Sequence, residues 1–321
     1  MTDPDARTDA RTDAGTGPAL RTLLAVSGGL VVLLALLASA FTWPPSELEP
    51  RSLPIVVAGE AATADRAVGS LEAAAGSDAF DIHVVADRAE AVAAIEDREA
   101  YGALLPADRE LLVASAASPA VAQLLAQIAR ASEPATTVTD VVPTPDDDPH
   151  GAVFTAAALP LVLGGLSTGV LTSVVLVRTR HRICGAFLVA LVGGLVLTGL
   201  VQGWIGALGG AYLANSGVVA LGIGSVALTI IGLRHALGRP GIALGTLLML
   251  LIGNPLSAAS SAPELLPLGT VGQLLPPGAF TTALRGTAFF DGAAVGGPLL
   301  VLTAWIGAGL LLALAPARTG H

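Results

Sequence analysis

The sequence predicts an α-helical integral membrane protein with six transmembrane helices and an inserted extracytoplasmic α/β domain. Three observations predict it. The hydrophobic fraction of the 321 residues is 53% and the charged fraction only 13%, with mean hydropathy +0.73, values of the membrane class. Six apolar runs approach the roughly 20 residues that a helix needs to cross a bilayer. A polar stretch, in which strand and helix patterns alternate, separates the first run from the other five.

The chain opens on a low-complexity repeat, DARTDARTDAGTG. It has no apolar periodicity, so residues 1–19 are expected to be a disordered cytoplasmic tail. Residues 20–42 form the first transmembrane helix. Ala38-Ser39-Ala40 also resembles a signal-peptidase site, and a cleaved signal is the competing reading. The run from Leu23 to Phe41 is longer than a usual signal h-region, which favours an uncleaved anchor.

Residues 43–150 read as the extracytoplasmic α/β domain. LPIVVAG and FDIHVVAD have the look of buried strands, and TADRAVGSLEAAAG and RAEAVAAIEDRE of the helices that follow them. AYGALLPA and RELLVASAAS read as two strands joined by a turn around Pro106 to Asp108. SPAVAQLLAQIARAS is a helix with Ser118 at its N-cap and Pro119 at its first position. TVTDVVPT is the last strand. This alternation predicts a mostly parallel sheet. The stretch is acidic, with nineteen Asp and Glu against six Arg between Glu47 and Asp148. Asp146-Asp147-Asp148 is the sharpest cluster, but its spacing matches no calcium loop, so it reads as a solvated linker.

The second to sixth spans are expected at about 153–177, 183–203, 215–233, 241–259 and 296–315, in a five-helix domain over 151–321. Arg178, Arg180 and Arg182 fill the link between the second and third. Arg234 and Arg239 lie between the fourth and fifth, and Arg318 follows the last. These alternate links, with Arg7, Arg11 and Arg21, mark the cytoplasmic side, so the chain is expected to be a multi-pass protein of the cytoplasmic (inner) membrane with both termini cytoplasmic.

Between the last two spans runs a Pro/Gly-rich outer segment, residues 254–295. Asn254 and Pro255 end the fifth run, and Pro263, Pro267, Pro276 and Pro277 are expected to prevent any long helix. Irregular backbone at membrane depth needs shelter from lipid. The segment is therefore expected to close the outer end of a pathway. Glu264, Arg285 and Asp291 are its only charges, and a Glu264–Arg285 or Asp291–Arg285 pair is the candidate pin.

Composition and motifs exclude several functions. A net charge of −9 argues against nucleic acid. All sixteen basic residues are Arg, so no Walker A lysine exists. Cys184 is the single cysteine, which allows neither an internal disulfide nor a multi-cysteine metal site. Gly165-Leu166-Ser167-Thr168-Gly169 matches the nucleophile elbow, yet it falls in mid-helix with no histidine in any span. Gly165 and Gly169 read instead as a helix-packing face. No catalytic, cofactor or metal site is expected.

One helix, a large external α/β domain, five close helices and a Pro/Gly-rich outer segment together resemble the type-2 ATP-binding-cassette export permeases. The resemblance is strongest to their phage-infection-protein (Pip/YhgE-like) relatives. The matching residues are Gly253-Asn254-Pro255-Leu256-Ser257, Pro263-Glu264-Leu265-Leu266-Pro267, Leu274-Leu275-Pro276-Pro277-Gly278 and Phe289-Phe290-Asp291-Gly292, with Tyr101-Gly102-Ala103 ahead of them. The resemblance implies a homodimeric exporter subunit in membrane lipid, with ATP hydrolysed by a separate cytoplasmic subunit. The link RTRHR is about five residues, where such permeases carry a coupling helix. The expected function is outward movement of a hydrophobic or amphipathic substrate. The alternative is a non-transporting envelope receptor or assembly scaffold acting through the acidic domain.

The orientation is testable. With Cys184 replaced, a cysteine placed at Thr179 is expected to resist an impermeant thiol reagent added to intact cells. Labelling from outside would reverse the topology.

Overall fold

The computed structural model describes residues 16–316. The repeat of the tail, and Arg318 at the other end, lie outside the described residues. The chain divides into two units, residues 1–43 and 44–321. The first is dominated by α1 (Thr16–Ser46). This helix takes in the last residues of the expected tail and runs past the expected exit at residue 42. Leu23, Leu24, Val31, Val32 and Leu34 are exposed on it, as suits a helix that is apolar all round in lipid.

The second unit begins with five strands and three helices. They are β1 (Leu53–Ala58), α2 (Ala61–Ala75), β2 (Phe80–Val85), α3 (Arg88–Glu96), β3 (Gly102–Leu105), β4 (Glu110–Val113), α4 (Pro119–Ser132) and β5 (Thr137–Asp140). The strand order is β2-β1-β3-β4-β5. Only the β3–β4 pair is antiparallel, because a short turn joins those strands while helices join the others. Side chains alternate between two faces. Leu53, Ile55 and Val57 pack under α2 and α4, and Val56, Ala58 and Ala103 pack against α3. The Ser118 side chain accepts from Val121 N at the start of α4, and Asp87 caps α3 through Ala89 N and Glu90 N. Each such cap contributes about 1 kcal/mol.

Then come α5 (Ala152–Val175), α6 (Thr179–Thr198), α7 (Tyr212–Leu237), α8 (Arg239–Leu247), α9 (Gly269–Gln273), α10 (Pro276–Phe289) and α11 (Gly296–Leu314). Asp148 is buried and accepts from Val153 N and Phe154 N, which satisfies the free donors at the start of α5. This member of the acidic cluster is thus a helix cap and not a solvated linker residue. The centre of the bundle is α7, against which α5, α6, α8, α10 and α11 all pack. Its glycines let the neighbours come close: a Cβ on Gly222 would lie 2.6 Å from the Phe280 ring, and one on Gly232 would lie 2.5 Å from Gly309 O.

Among the described residues, five helices are long and apolar enough to cross a membrane: Ala19–Ser46, Ala152–Val175, Thr179–Trp204, Tyr212–Leu237 and Gly296–Leu314. The expected span at 241–259 is not among them. Its helix, Arg239–Gly253, is about 22 Å long at 1.5 Å per residue, against a hydrocarbon core of about 30 Å. Its last turn, Leu248–Gly253, is a π-helix, and a five-residue bond from Asn254 N to Met249 O closes it.

The prolines beyond this point do not prevent a long helix. Pro276 and Pro277 occupy the first turn of α10, fourteen residues that are mostly buried. A proline there forfeits no hydrogen bond, since the first amides of a helix have no partner within it.

Gly165 and Gly169 face α7. A Cβ on Gly165 would lie 2.8 Å from Val226 Cβ, and one on Gly169 would lie 2.9 Å from Ile230 Cβ. Ser167 between them is exposed, inside continuous helix. Gly169→Leu is expected to destabilise the bundle by about 1–3 kcal/mol through overpacking, while Ser167→Ala is nearly silent. Thermal unfolding of both variants in mild detergent checks this. Loss of function by Ser167→Ala with normal melting would contradict the packing role.

Candidate functional site

Beyond Gly253 the chain leaves the bundle interior, reaches the sheet and returns. A 3₁₀ turn at Pro263–Leu265 is the far point of this excursion. There Arg51 N donates to Glu264 O, and Glu49 N donates to Leu265 O. The Arg51 guanidinium also donates to Leu265 O at 3.0 Å. Ala262 and Leu265 join the apolar cluster under α2 and α4. Phe290, just after α10, joins the cluster on the opposite face of the sheet. One segment thus completes both halves of the sheet's core.

Polar groups line the seam between the sheet and the helices. The Tyr101 hydroxyl donates to Glu264 Oε2 at 2.9 Å. Burial raises the Tyr101 phenol far above its usual range, and the neighbouring Glu264 charge adds to the shift. Arg98 Nη1 donates to the carbonyl of Thr282 on α10 at 3.0 Å. Its guanidinium carbon lies 5.2 Å from the centre of the Phe290 ring. Burial lowers the Arg98 pKa, opposed by the charges of Tyr101 and Glu264. Arg98 has φ +61°, so its backbone turns left-handed to send the side chain to the seam.

Arg285, on α10, is 3% exposed, which matters because a buried guanidinium needs partners for its charge. Its Nη2 donates to Ala259 O at 3.0 Å. Its guanidinium carbon lies 4.8 Å from the centre of the Phe154 ring, and Phe154 in turn packs on Phe289 at 5.9 Å. Cation–π contacts of this desolvated kind contribute about 2 kcal/mol.

The expected site residues therefore separate. Glu264 and Arg285 both lie at the seam but are not paired. Among the described residues Arg285 makes no salt bridge, and Glu264 is held by Tyr101. Asp291 is exposed, with φ +48°. Neither candidate pin exists, because α10 directs Arg285 toward Phe154 and the Ala259 carbonyl. Asn254 and Pro255 sit at the end of the π turn, beside the close approach of Gly253 to Pro277, where an added Cβ would lie 2.9 Å from Pro277 Cγ. Arg98 and Phe154 escape a sequence reading altogether, and Phe290 shows only as part of the quoted Phe289-Phe290-Asp291-Gly292. Tyr101 shows only as part of the quoted Tyr101-Gly102-Ala103.

A second feature lies within the sheet region. A cavity of about 330 Å³ opens between α2 and α4, over Gly102 and Leu104 of β3. The cavities between the helices hold only about 10 Å³ each.

Since Arg285 is held by a carbonyl and a ring, Arg285→Ala is expected to cost about 2 kcal/mol, the loss of a charged hydrogen bond. Limited proteolysis of residues 254–275 should accelerate, and Phe154→Ala should act the same way. Exchanging charges between Arg285 and Glu264 should not restore protection. Rescue by that exchange would show that the two side chains pair after all.

The chain matches no protein-family model, no curated protein and no solved structure. Its function rests on the geometry above.

Proposed function

We propose that this protein is a permease-like subunit of the type-2 exporter kind, moving a hydrophobic or amphipathic substrate across the cytoplasmic membrane. In this reading it is a homodimer, with both termini cytoplasmic and ATP hydrolysed by a separate subunit. The observation that carries the reading is the interrupted helix. The helix Arg239–Gly253 stops short in a π turn, and α10 restarts at Pro276-Pro277 against that stop. Discontinuous helices at membrane depth expose backbone polar groups and recur where transporters hold their cargo. π turns likewise mark functional positions.

A second reading, an envelope receptor or assembly scaffold, is favoured by one observation, the cavity in the sheet region. Purification from its own cells in mild detergent separates the two. The transport reading expects a cytoplasmic ATPase subunit to co-purify. It also expects Gly253→Leu, which drives a side chain into Pro277, to abolish export while the protein still assembles. If no ATPase co-purifies and Gly253→Leu leaves export of candidate amphiphiles unchanged, the scaffold reading stands instead.

A further inference from the structure

We infer that the cavity between α2 and α4 is a binding site for a small amphipathic monoanion taken from the aqueous phase. Its floor is apolar, built by Ile55, Leu104, Leu111 and Leu125. An enclosed void of about 150 Å³ holds one benzene ring. At about 330 Å³ this cavity has room for roughly twice that, on the order of a dozen heavy atoms. Pockets of this size, mostly apolar with a few polar groups at one end, are the usual form of a small-molecule site.

The charge comes from the rim. Of the six arginines between Glu47 and Asp148, Arg66 and Arg109 both line this opening. Arg66 bonds only within its own helix, to Ala62 O at 3.0 Å and to Thr63 Oγ1 at 3.2 Å. It makes no ion pair among the described residues. Arg109 lies 3.3 Å from Glu133 Oε1, so Glu133 offsets one of the two positive charges. The mouth keeps an excess of one positive charge on a region that is otherwise acidic. An anion is attracted there and a cation repelled, while a neutral apolar molecule gains nothing from the exposed Arg66.

The source follows from direction. β3 leads from just after Tyr101, at the seam with the helices, to just before Pro106, at the rim. The mouth therefore lies at the end of the sheet remote from the membrane helices, where water supplies the ligand. Carboxyl ends of strands are also where open α/β sheets bind ligands. The assignment is independent of the transport reading, since no residue of the cavity belongs to the interrupted helix.

The full chain in lipid nanodiscs provides the test. With Cys184→Ser as background, the thiol introduced by Ser70→Cys, at the cavity wall, reports occupancy through its alkylation rate. Octanoate or 2-naphthoate is expected to slow alkylation at least about fivefold, and octanol or octylammonium far less. Replacing Arg66 and Arg109 by Ala should weaken protection about tenfold, the loss of a charge-assisted contact. Glu133→Gln should strengthen it. Ala67→Phe, which fills the cavity, should abolish protection without lowering thermal stability. Equal protection by octanol and octanoate would overturn the anion assignment, and no protection by either anion would overturn the site.

Discussion

The structure depends on a core that two distant stretches of chain share. The sheet region spans Leu53–Asp140, a size at which a chain buries only about three-fifths to two-thirds of its surface. Ala262 and Leu265 close one face of its core and Phe290 the other. Burying a side chain such as Leu265 or Phe290 contributes about 1.5–3 kcal/mol, a large share of a small region's net stability. The same residues belong to the segment that returns through the bundle. Packing above the sheet and packing among the helices are therefore not separable quantities.

Electrostatics at the seam serve that union. Arg98 and Arg285 bring two positive charges to a half-buried place, with Glu264 the carboxylate beside them. Each guanidinium donates to a backbone carbonyl, Arg98 to Thr282 and Arg285 to Ala259, and each lies over a ring, of Phe290 and Phe154. A carbonyl and a ring hold a guanidinium without requiring a second ion to be desolvated, which is the costly part of a buried salt bridge. Direction matters as well. Arg98 comes from the sheet side and donates to α10, while Arg285 comes from α10 and donates to the returning loop. Each arginine ties a different pair of elements.

How much of this was legible in the sequence differs by element. The strands and helices over residues 53–140 are plain, because period-two and helical patterns alternate there and Ser118-Pro119 announces α4. The long apolar helices α5, α6, α7 and α11 are plain for the same reason, since length and composition alone define them. The short helix Arg239–Gly253 is not. Apolar residues continue past Gly253 as Leu256 and Ala258, so composition runs on where the backbone has stopped. Nor is α10, because a proline pair reads equally as a break or as a first turn, and only its packing against Gly222 through Phe280 decides. The seam is least legible. Arg98 looks like any solvated charge after a helix, and nothing local shows that its partner lies 184 positions away.

The shared core also sets an order of assembly during synthesis. Ribosomes deliver about 5–20 residues per second. Phe290 follows Asp140 by 150 positions, so the sheet region leaves the ribosome roughly eight to thirty seconds before the residue that closes its second face. Through that interval its core lacks Ala262 and Leu265 on one face and Phe290 on the other. The newborn chain must be kept from sticking to its neighbours until α10 arrives.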